Sequence, residues 1–188
     1  MEELQDYSGN FVRGLRYQDF SKDMMAKIIC EFGRLYELID GLWLTNATKA
    51  LGWDKAWEIE REVWRQIPRH VIDGVRKIAK IEGNDVATCL KMIQLDPCFT
   101  PGLYEYDLYF KDKDDALMTI YRCPSLLYFE RAYPNMVAPL CQVLEVKAFE
   151  DYAHRFNPNM EAKPLMLPPR KSPDQMPVCM WEFKIPKK

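Results

Sequence analysis

The sequence carries no surplus of basic residues and no long apolar run. Its 188 residues include 26 Lys and Arg against 28 Asp and Glu, so the formal net charge is −2. The basic pairs Arg170-Lys171 and Lys187-Lys188 are too short to hold a phosphate backbone, which argues against a nucleic-acid partner. No apolar stretch approaches the roughly 18 residues of a membrane span, and the acidic start at Met1–Asp6 is unlike a secretory signal. We therefore expect a cytoplasmic protein with no membrane partner.

Glycines, histidines and closely spaced cysteines are also few. The 8 glycines are not clustered, which excludes a glycine-rich phosphate loop, and the 2 histidines are His70 and His154. The 6 cysteines show no Cys-x-x-Cys spacing, so a zinc ribbon or a ferredoxin-type cluster is disfavoured. In the cytoplasm these cysteines should be free thiols rather than a disulfide scaffold.

Helical patterns fill the first half of the chain. The composition, 48% hydrophobic and 29% charged, is that of a globular protein, and we expect one domain over 1–188 with a helical part at 1–100. Ser21 is a good N-cap for a helix that runs to about Ala50, with apolar residues at helical spacing. A second helix starts at Asp54 and should be kinked or split at Pro68, because proline lacks the backbone donor. Asn84-Asp85 caps a third, short helix.

The second half, 101–188, alternates strands and helices and should carry the functional site. An apolar–polar alternation around the charged turn Lys111–Asp115 predicts a β-hairpin. Two helices and two further strands follow, at about Ser125–Tyr133, Val137–Phe156, Glu161–Leu167 and Pro177–Ile185. The predicted fold class is α+β: a helical N-terminal half followed by a ββ-αα-ββ half, whose antiparallel sheet is covered by helices.

Cys123 is a candidate functional thiol because it should leave a strand where a helix begins at Pro124. Unpaired N–H groups and the positive end of the helix dipole lower the pKa of a cysteine in such a position. The alternative is an inert cysteine buried at a strand end.

Cys141 and Glu145 are four residues apart on a predicted helix, hence about 40° apart around its axis. If Cys141 faces the core, Glu145 is carried inward, where burial would raise its pKa and suit it to general acid–base work. A solvated glutamate is the alternative. His154 lies about 140° from Cys141, so a Cys–His dyad on this helix is poorly supported.

Cys179 shares a strand face with Trp181 and should point toward Cys141. Cys123, Cys141 and Cys179 could then surround one cavity, as thiols or as soft ligands of a metal such as zinc. Arg170, stiffened by Pro168-Pro169, is a candidate clamp for a substrate carboxylate, with a solvated loop arginine as the alternative.

The motifs of the last third resemble those of a known family. Cys123-Pro124, Cys141 before an acidic residue, Phe156-Asn157-Pro158, and a closing Cys179-x-aromatic-x-Phe strand are similar to the family of the hydrolase acting on L-2-amino-thiazoline-4-carboxylic acid. The Pro168–Lys171 loop resembles an uncharacterised related branch. Val178 departs from the pattern, which has a second cysteine beside Cys179. The resemblance implies water addition at a C=N carbon, and Asn157 and Trp181 are further candidate substrate contacts.

Three interpretations of function stay open at this point. The first is a hydrolase of a small carboxylate-bearing, amidine- or thiazoline-like substrate, in which Cys141 or Cys123 acts as nucleophile or ligand, Glu145 carries the proton and Arg170 holds the carboxylate. The second is a non-catalytic small-ligand or metal-binding module with Cys123, Cys141 and Cys179 as ligands. The third makes these residues core and the chain a structural partner protein. A small-molecule ligand is expected, and oligomers are possible.

Overall fold

Three α-helices form the first half of the chain in the computed structural model, which describes residues 3–187. They are α1 (Lys22–Leu51), α2 (Trp53–Ala79) and α3 (Val86–Ile93). α1 begins where the Ser21 side chain accepts a hydrogen bond from the Met24 backbone N–H, and it ends at Gly52, whose φ is 81°. α3 begins where Asp85 accepts the Thr88 backbone N–H at 2.8 Å. The helical first half is as predicted.

α2 packs against α1 and runs through Pro68 as one helix of 27 residues. The helix is therefore not split at Pro68. The proline removes the backbone donor that would reach the Trp64 carbonyl, four residues earlier. Packing of α2 against α1 offsets this missing hydrogen bond.

A four-stranded antiparallel sheet forms the second half. Its strands are β1 (Glu105–Asp112), β2 (Asp115–Arg122), β3 (Glu161–Met166) and β4 (Cys179–Lys184), in the spatial order β1-β2-β4-β3. Asp112 pairs with Asp115, so Lys113-Asp114 form the tight turn of the predicted hairpin. β4 is an inner strand because it returns between β2 and β3.

The helices between β2 and β3 cover one face of the sheet. They are α4 (Pro124–Ala132), α5 (Val137–Pro139), a π-helical turn (Leu140–Leu144) and α6 (Glu145–His154). The prediction of one regular helix over Val137–Phe156 was wrong at the π-helical turn. Such turns occur frequently at functional sites.

The core lies between α6 and the sheet and continues into the first half. Phe149 of α6 packs on Trp181 and Phe183 of β4, with ring centroids 4.4 and 5.8 Å apart. The same apolar cluster reaches Leu44 of α1 and Ile72 of α2. The fold class is α+β, with helices in the N-terminal half and the antiparallel sheet later, as predicted. Within residues 3–187, every helix is too short or too polar to cross a membrane.

Candidate functional site

Two cavities with a common wall lie between the helical half and the sheet. The larger, about 120 Å³, is lined by five acidic side chains, and we call it the acidic chamber: Glu37, Asp40, Glu60, Asp96 and Glu145. The smaller, about 50 Å³, is lined by three cysteines, and we call it the thiol chamber: Cys123, Cys141 and Cys179. Residues that line both cavities include Tyr104, Ser125, Glu145 and Phe149. Glu145 is the acidic residue common to the two.

Every carboxyl group of the acidic chamber has a raised pKa, first because burial disfavours the charged form. The pKa of Glu37 and of Glu145 rises to about 7, and that of Glu60 to about 8. The pKa values of Asp40 and Asp96 are raised for the same reason. In the described part of the chain, the lining of this chamber includes no Lys, Arg or His. Its carboxyl groups are therefore near neighbours of one another without a basic partner.

Asp40 of α1 and Glu60 of α2 form a carboxyl–carboxyl pair. Glu60 is 3% exposed, its Oε1 accepts a hydrogen bond from Trp64 Nε1 at 2.9 Å, and its Oε2 has no donor among the described residues. After burial, the charge of Asp40 is the next cause that raises the pKa of Glu60. Two adjacent carboxyl groups are stable when they share one proton. Glu60, whose pKa the neighbouring Asp40 raises, is the better holder of that proton.

A hydrogen-bonded chain joins the two chambers. Ser125 Oγ donates to Glu37 Oε2 at 3.1 Å, so the Tyr104 hydroxyl, 3.1 Å from Ser125 Oγ, donates to Ser125. Cys123 Sγ lies 3.9 Å from Tyr104 Oη. Two hydroxyl side chains, Ser125 and Tyr104, thus connect a carboxyl group of the acidic chamber to a thiol of the thiol chamber.

Glu145 follows the π-helical turn that carries Cys141. Both residues line the thiol chamber, and Cys141 is 7% exposed. Burial and then the charge of Asp40 raise the pKa of Glu145. The inward orientation expected for Glu145 is present, although the π-helical turn replaces the regular α-helical spacing on which that expectation was based.

The three cysteines line one chamber, but their thiols are not activated. Cys123 is the N-cap of α4, where its Sγ accepts the Leu126 backbone N–H at 3.4 Å. Burial nevertheless raises the pKa of Cys123 and of Cys179 to about 12, and it raises the pKa of Cys141 as well. The prediction of a lowered Cys123 pKa was wrong, because loss of hydration outweighs the helix N-terminus.

The cysteines are also not grouped as metal ligands. Within residues 3–187 no set of three or more His, Cys, Asp or Glu side chains is arranged to hold a metal ion. This corrects the expectation that Cys123, Cys141 and Cys179 together ligate zinc. His70 and His154 are exposed and line neither chamber.

The three predicted substrate contacts lie in different surroundings. Arg170 is engaged by the Glu130 carboxylate through two hydrogen bonds, Nε–Oε1 at 2.8 Å and Nη2–Oε2 at 2.5 Å, and lines neither chamber. Asn157 also lines neither chamber, and its Oδ1 accepts the Asn159 backbone N–H. Trp181 lines the thiol chamber, and its Nε1 has no acceptor among the described residues. The structure therefore contradicts Arg170 as a free carboxylate clamp and places Asn157 in a turn.

Sequence reasoning did not predict that acidic residues of the first half line a cavity. Glu37, Asp40, Glu60 and Asp96 are far apart in the chain, and each belongs to a residue type that is normally exposed. Asp96 also caps the short turn Pro97–Phe99 through the Cys98 backbone N–H. The i,i+4 pair Glu60–Trp64 is the one local signal, and it is weak.

Comparison with known protein families gives a match over most of the chain. The model of a family of unknown function, DUF6125, matches residues 18–185, which is most of the chain. No curated protein and no solved structure matches.

Proposed function

The chain belongs to the family of unknown function DUF6125, and we propose that it is a hydrolase of a small amidine- or thiazoline-like molecule with Glu145 as general acid and base. The observation that carries this proposal is the position of Glu145, which lines both chambers and has a pKa of about 7. A carboxyl group with such a pKa exchanges a proton readily near neutral pH. The resemblance to the thiazoline hydrolase family stays a prediction and supplies the reaction type.

The proposed reaction is the addition of water to a C=N carbon. The Glu145 carboxylate takes a proton from water as the water oxygen forms a C–O bond, and the imine nitrogen then takes that proton. In the resulting tetrahedral species, the proton of the new hydroxyl group passes to Glu145 while C=O forms and a C–N bond breaks. The leaving nitrogen takes the proton from Glu145, which regenerates the carboxylate.

Water is the nucleophile we favour over a cysteine. The thiols have raised pKa values, so very little thiolate is present near neutral pH, and the thiolate is the reactive form. Cys141 and Cys123 then shape the chamber around the reacting carbon. If Cys141 attacks instead, Glu145 must first take the thiol proton.

Glu145→Gln tests the proposal because it keeps the shape and removes the titratable group. With 2-amino-2-thiazoline and its 4-carboxylate as probes, we expect kcat to fall about a hundredfold or more. In the wild-type protein, activity should rise with pH through about 7 as Glu145 ionises. Products that have gained water are measured by mass spectrometry after chromatography.

Two further variants sharpen this experiment. Glu150→Gln lies on the same helix, outside both chambers, and should leave kcat unchanged. Cys141→Ala should retain most activity if water attacks and lose it if Cys141 does. Unchanged turnover in Glu145→Gln would refute the proposal, as would the absence of turnover with any amidine or thiazoline probe.

We place this activity in the cytoplasm, as the composition suggests. The 6 cysteines of the chain are all free. Buried free thiols are characteristic of proteins in reducing compartments.

A further inference from the structure

The acidic chamber has more negative character than the proposed hydrolysis uses. Glu145 can carry the proton alone, yet Glu37, Asp40, Glu60 and Asp96 surround the same 120 Å³ space. Carboxyl groups in an apolar cavity without basic partners are costly to ionise. A ligand that brings positive charge would remove that cost.

Two buried polar atoms in this chamber are left without partners. Glu60 Oε2 and Tyr152 Oη have no hydrogen-bond partner among the described residues, and their residues are 3% and 7% exposed. Buried polar atoms are rarely left unpaired in proteins. A bound group with several N–H donors would satisfy Glu60 Oε2, and it could also donate to the Tyr152 hydroxyl oxygen.

The walls favour an organic cation over a metal ion. Aromatic rings contribute much of the lining, and the faces of such rings attract ammonium and amidinium groups: Tyr36, Trp64, Phe99, Tyr104, Phe129, Phe149 and Tyr152. The carboxyl groups are not arranged as ligands of a metal ion anywhere within residues 3–187. A cavity of about 150 Å³ accommodates benzene, so about 120 Å³ suits a chain of roughly five heavy atoms.

We propose that the acidic chamber binds the protonated amino end of a small organic cation, held between Asp40, Glu60 and Tyr152. The inference deepens the proposed function, on which it rests only for the position of the reacting C=N group in the thiol chamber. According to this proposal, the protein recognises an ammonium group of the substrate rather than a carboxylate. Arg170, the expected carboxylate clamp, is engaged by Glu130.

The binding should depend on pH through all the groups that face the chamber. These are Tyr36, Glu37 and Asp40 from α1, Glu60 from α2, Asp96 and Cys98 after α3, Tyr104 before β1, and Glu145 and Tyr152 from α6. Among the carboxyl groups, Glu37 and Glu145 ionise near pH 7 and Glu60 near pH 8. Cation affinity should therefore increase between pH 6 and about pH 9, where primary amines are still protonated.

Three probes of equal chain length test the charge preference: n-butylamine, 1-butanol and butyrate. Binding to the purified protein at pH 8 is measured by NMR titration and by the shift in thermal unfolding. We expect n-butylamine to bind at least about tenfold more tightly than 1-butanol, since hydrogen bonds to charged groups are the stronger ones. Butyrate should not bind. Equal binding of the amine and the alcohol would overturn the inference.

Variants locate the ammonium group. Asp40→Asn and Glu60→Gln should each weaken n-butylamine about tenfold and leave 1-butanol unaffected. Glu62→Gln is the matched control: it carries the same substitution on α2, is exposed and lies outside the chamber. An amine preference that survives both chamber substitutions would place the ammonium elsewhere and refute the assignment. If one variant fails to fold, the other variant and the three probes on the wild-type protein still decide.

The two proposals fail in different ways. If n-butylamine is preferred and Glu145→Gln keeps full turnover, the ammonium site stands and the proton-transfer role is lost. If Glu145→Gln abolishes turnover and n-butylamine shows no preference over 1-butanol, the hydrolase stands and the cation site is refuted.

Discussion

Glu60→Gln should stabilise the folded protein at alkaline pH, because ionisation of the buried Glu60 carboxyl group costs folding free energy. Its Oε1 already accepts from Trp64 Nε1, its Oε2 has no donor among the described residues, and the charge of Asp40 raises its pKa further. In the variant, the oxygen of the new side-chain amide can still accept from Trp64, and the amide nitrogen can donate to Asp40 at any pH. The substitution thus replaces a titratable group by one that is neutral at every pH.

The size of the effect follows from the pKa of Glu60, which burial and Asp40 raise from 4.5 to about 8. A group whose pKa is raised by folding contributes stability that is fully present below its unfolded pKa and lost as pH rises through its folded pKa. The free energy of unfolding of the wild-type protein should therefore fall between about pH 5 and pH 9. At about 1.4 kcal/mol per pKa unit, Glu60 alone accounts for at most roughly 4–5 kcal/mol. Because water can enter the chamber on ionisation, we expect Glu60→Gln to recover at least about 2 kcal/mol at pH 9.

Urea unfolding followed by tryptophan fluorescence at pH 5, 7 and 9 measures this effect. The free-energy difference between Glu60→Gln and the wild-type protein should be small at pH 5 and largest at pH 9. Glu62→Gln, exposed on the same helix, should track the wild-type protein at every pH. Equal pH dependence in the wild-type protein and in Glu60→Gln would refute the shared proton and the burial argument with it.

Two further outcomes are expected. Gly33→Ala should destabilise the protein by about 1–3 kcal/mol, because the added Cβ meets the Thr100 side chain, whose hydroxyl donates a hydrogen bond to the Pro97 carbonyl. Gly41→Ala, which has open space on the same helix, should not destabilise it. Equal unfolding free energies for the two variants would contradict this packing. Iodoacetamide at pH 8 should alkylate Cys30 first, because burial raises the pKa of the five other thiols. Peptide mapping of the folded protein measures the rates. If one of those five thiols is modified as fast as Cys30, it is accessible and the prediction is wrong.

Local patterns in the sequence were sufficient for most of the fold. The N-cap Ser21, the charged hairpin turn at Lys113-Asp114 and the alternation in β4 act within a few residues, so single segments carry the information. Pro68 does not split α2, because the penalty for a missing donor is local and packing against α1 offsets it. The π-helical turn before Glu145 has no comparable sequence signal.

The site was only half predictable, because an apolar stripe does not always face the core. On α1, Ile29, Phe32 and Ile39 follow helical spacing, yet they are 57%, 52% and 68% exposed. Glu37 and Asp40 of the same helix instead line the acidic chamber. Sequence reasoning assigns apolar residues to the interior and carboxylates to solvent, and that assignment is wrong for these five residues of α1.

The carboxyl groups that line the acidic chamber bear on the third interpretation, in which the candidate residues are only core. A structural core would gain stability by replacing Asp40, Glu60 and Glu145 with apolar side chains of similar size, because their carboxyl groups line a largely apolar cavity without basic partners. Local violations of packing and polar satisfaction concentrate at functional sites, where the stability lost is offset by what the site does. A variant such as Glu60→Gln that gains stability and loses amine binding would have the trade-off that a site requires and a core does not.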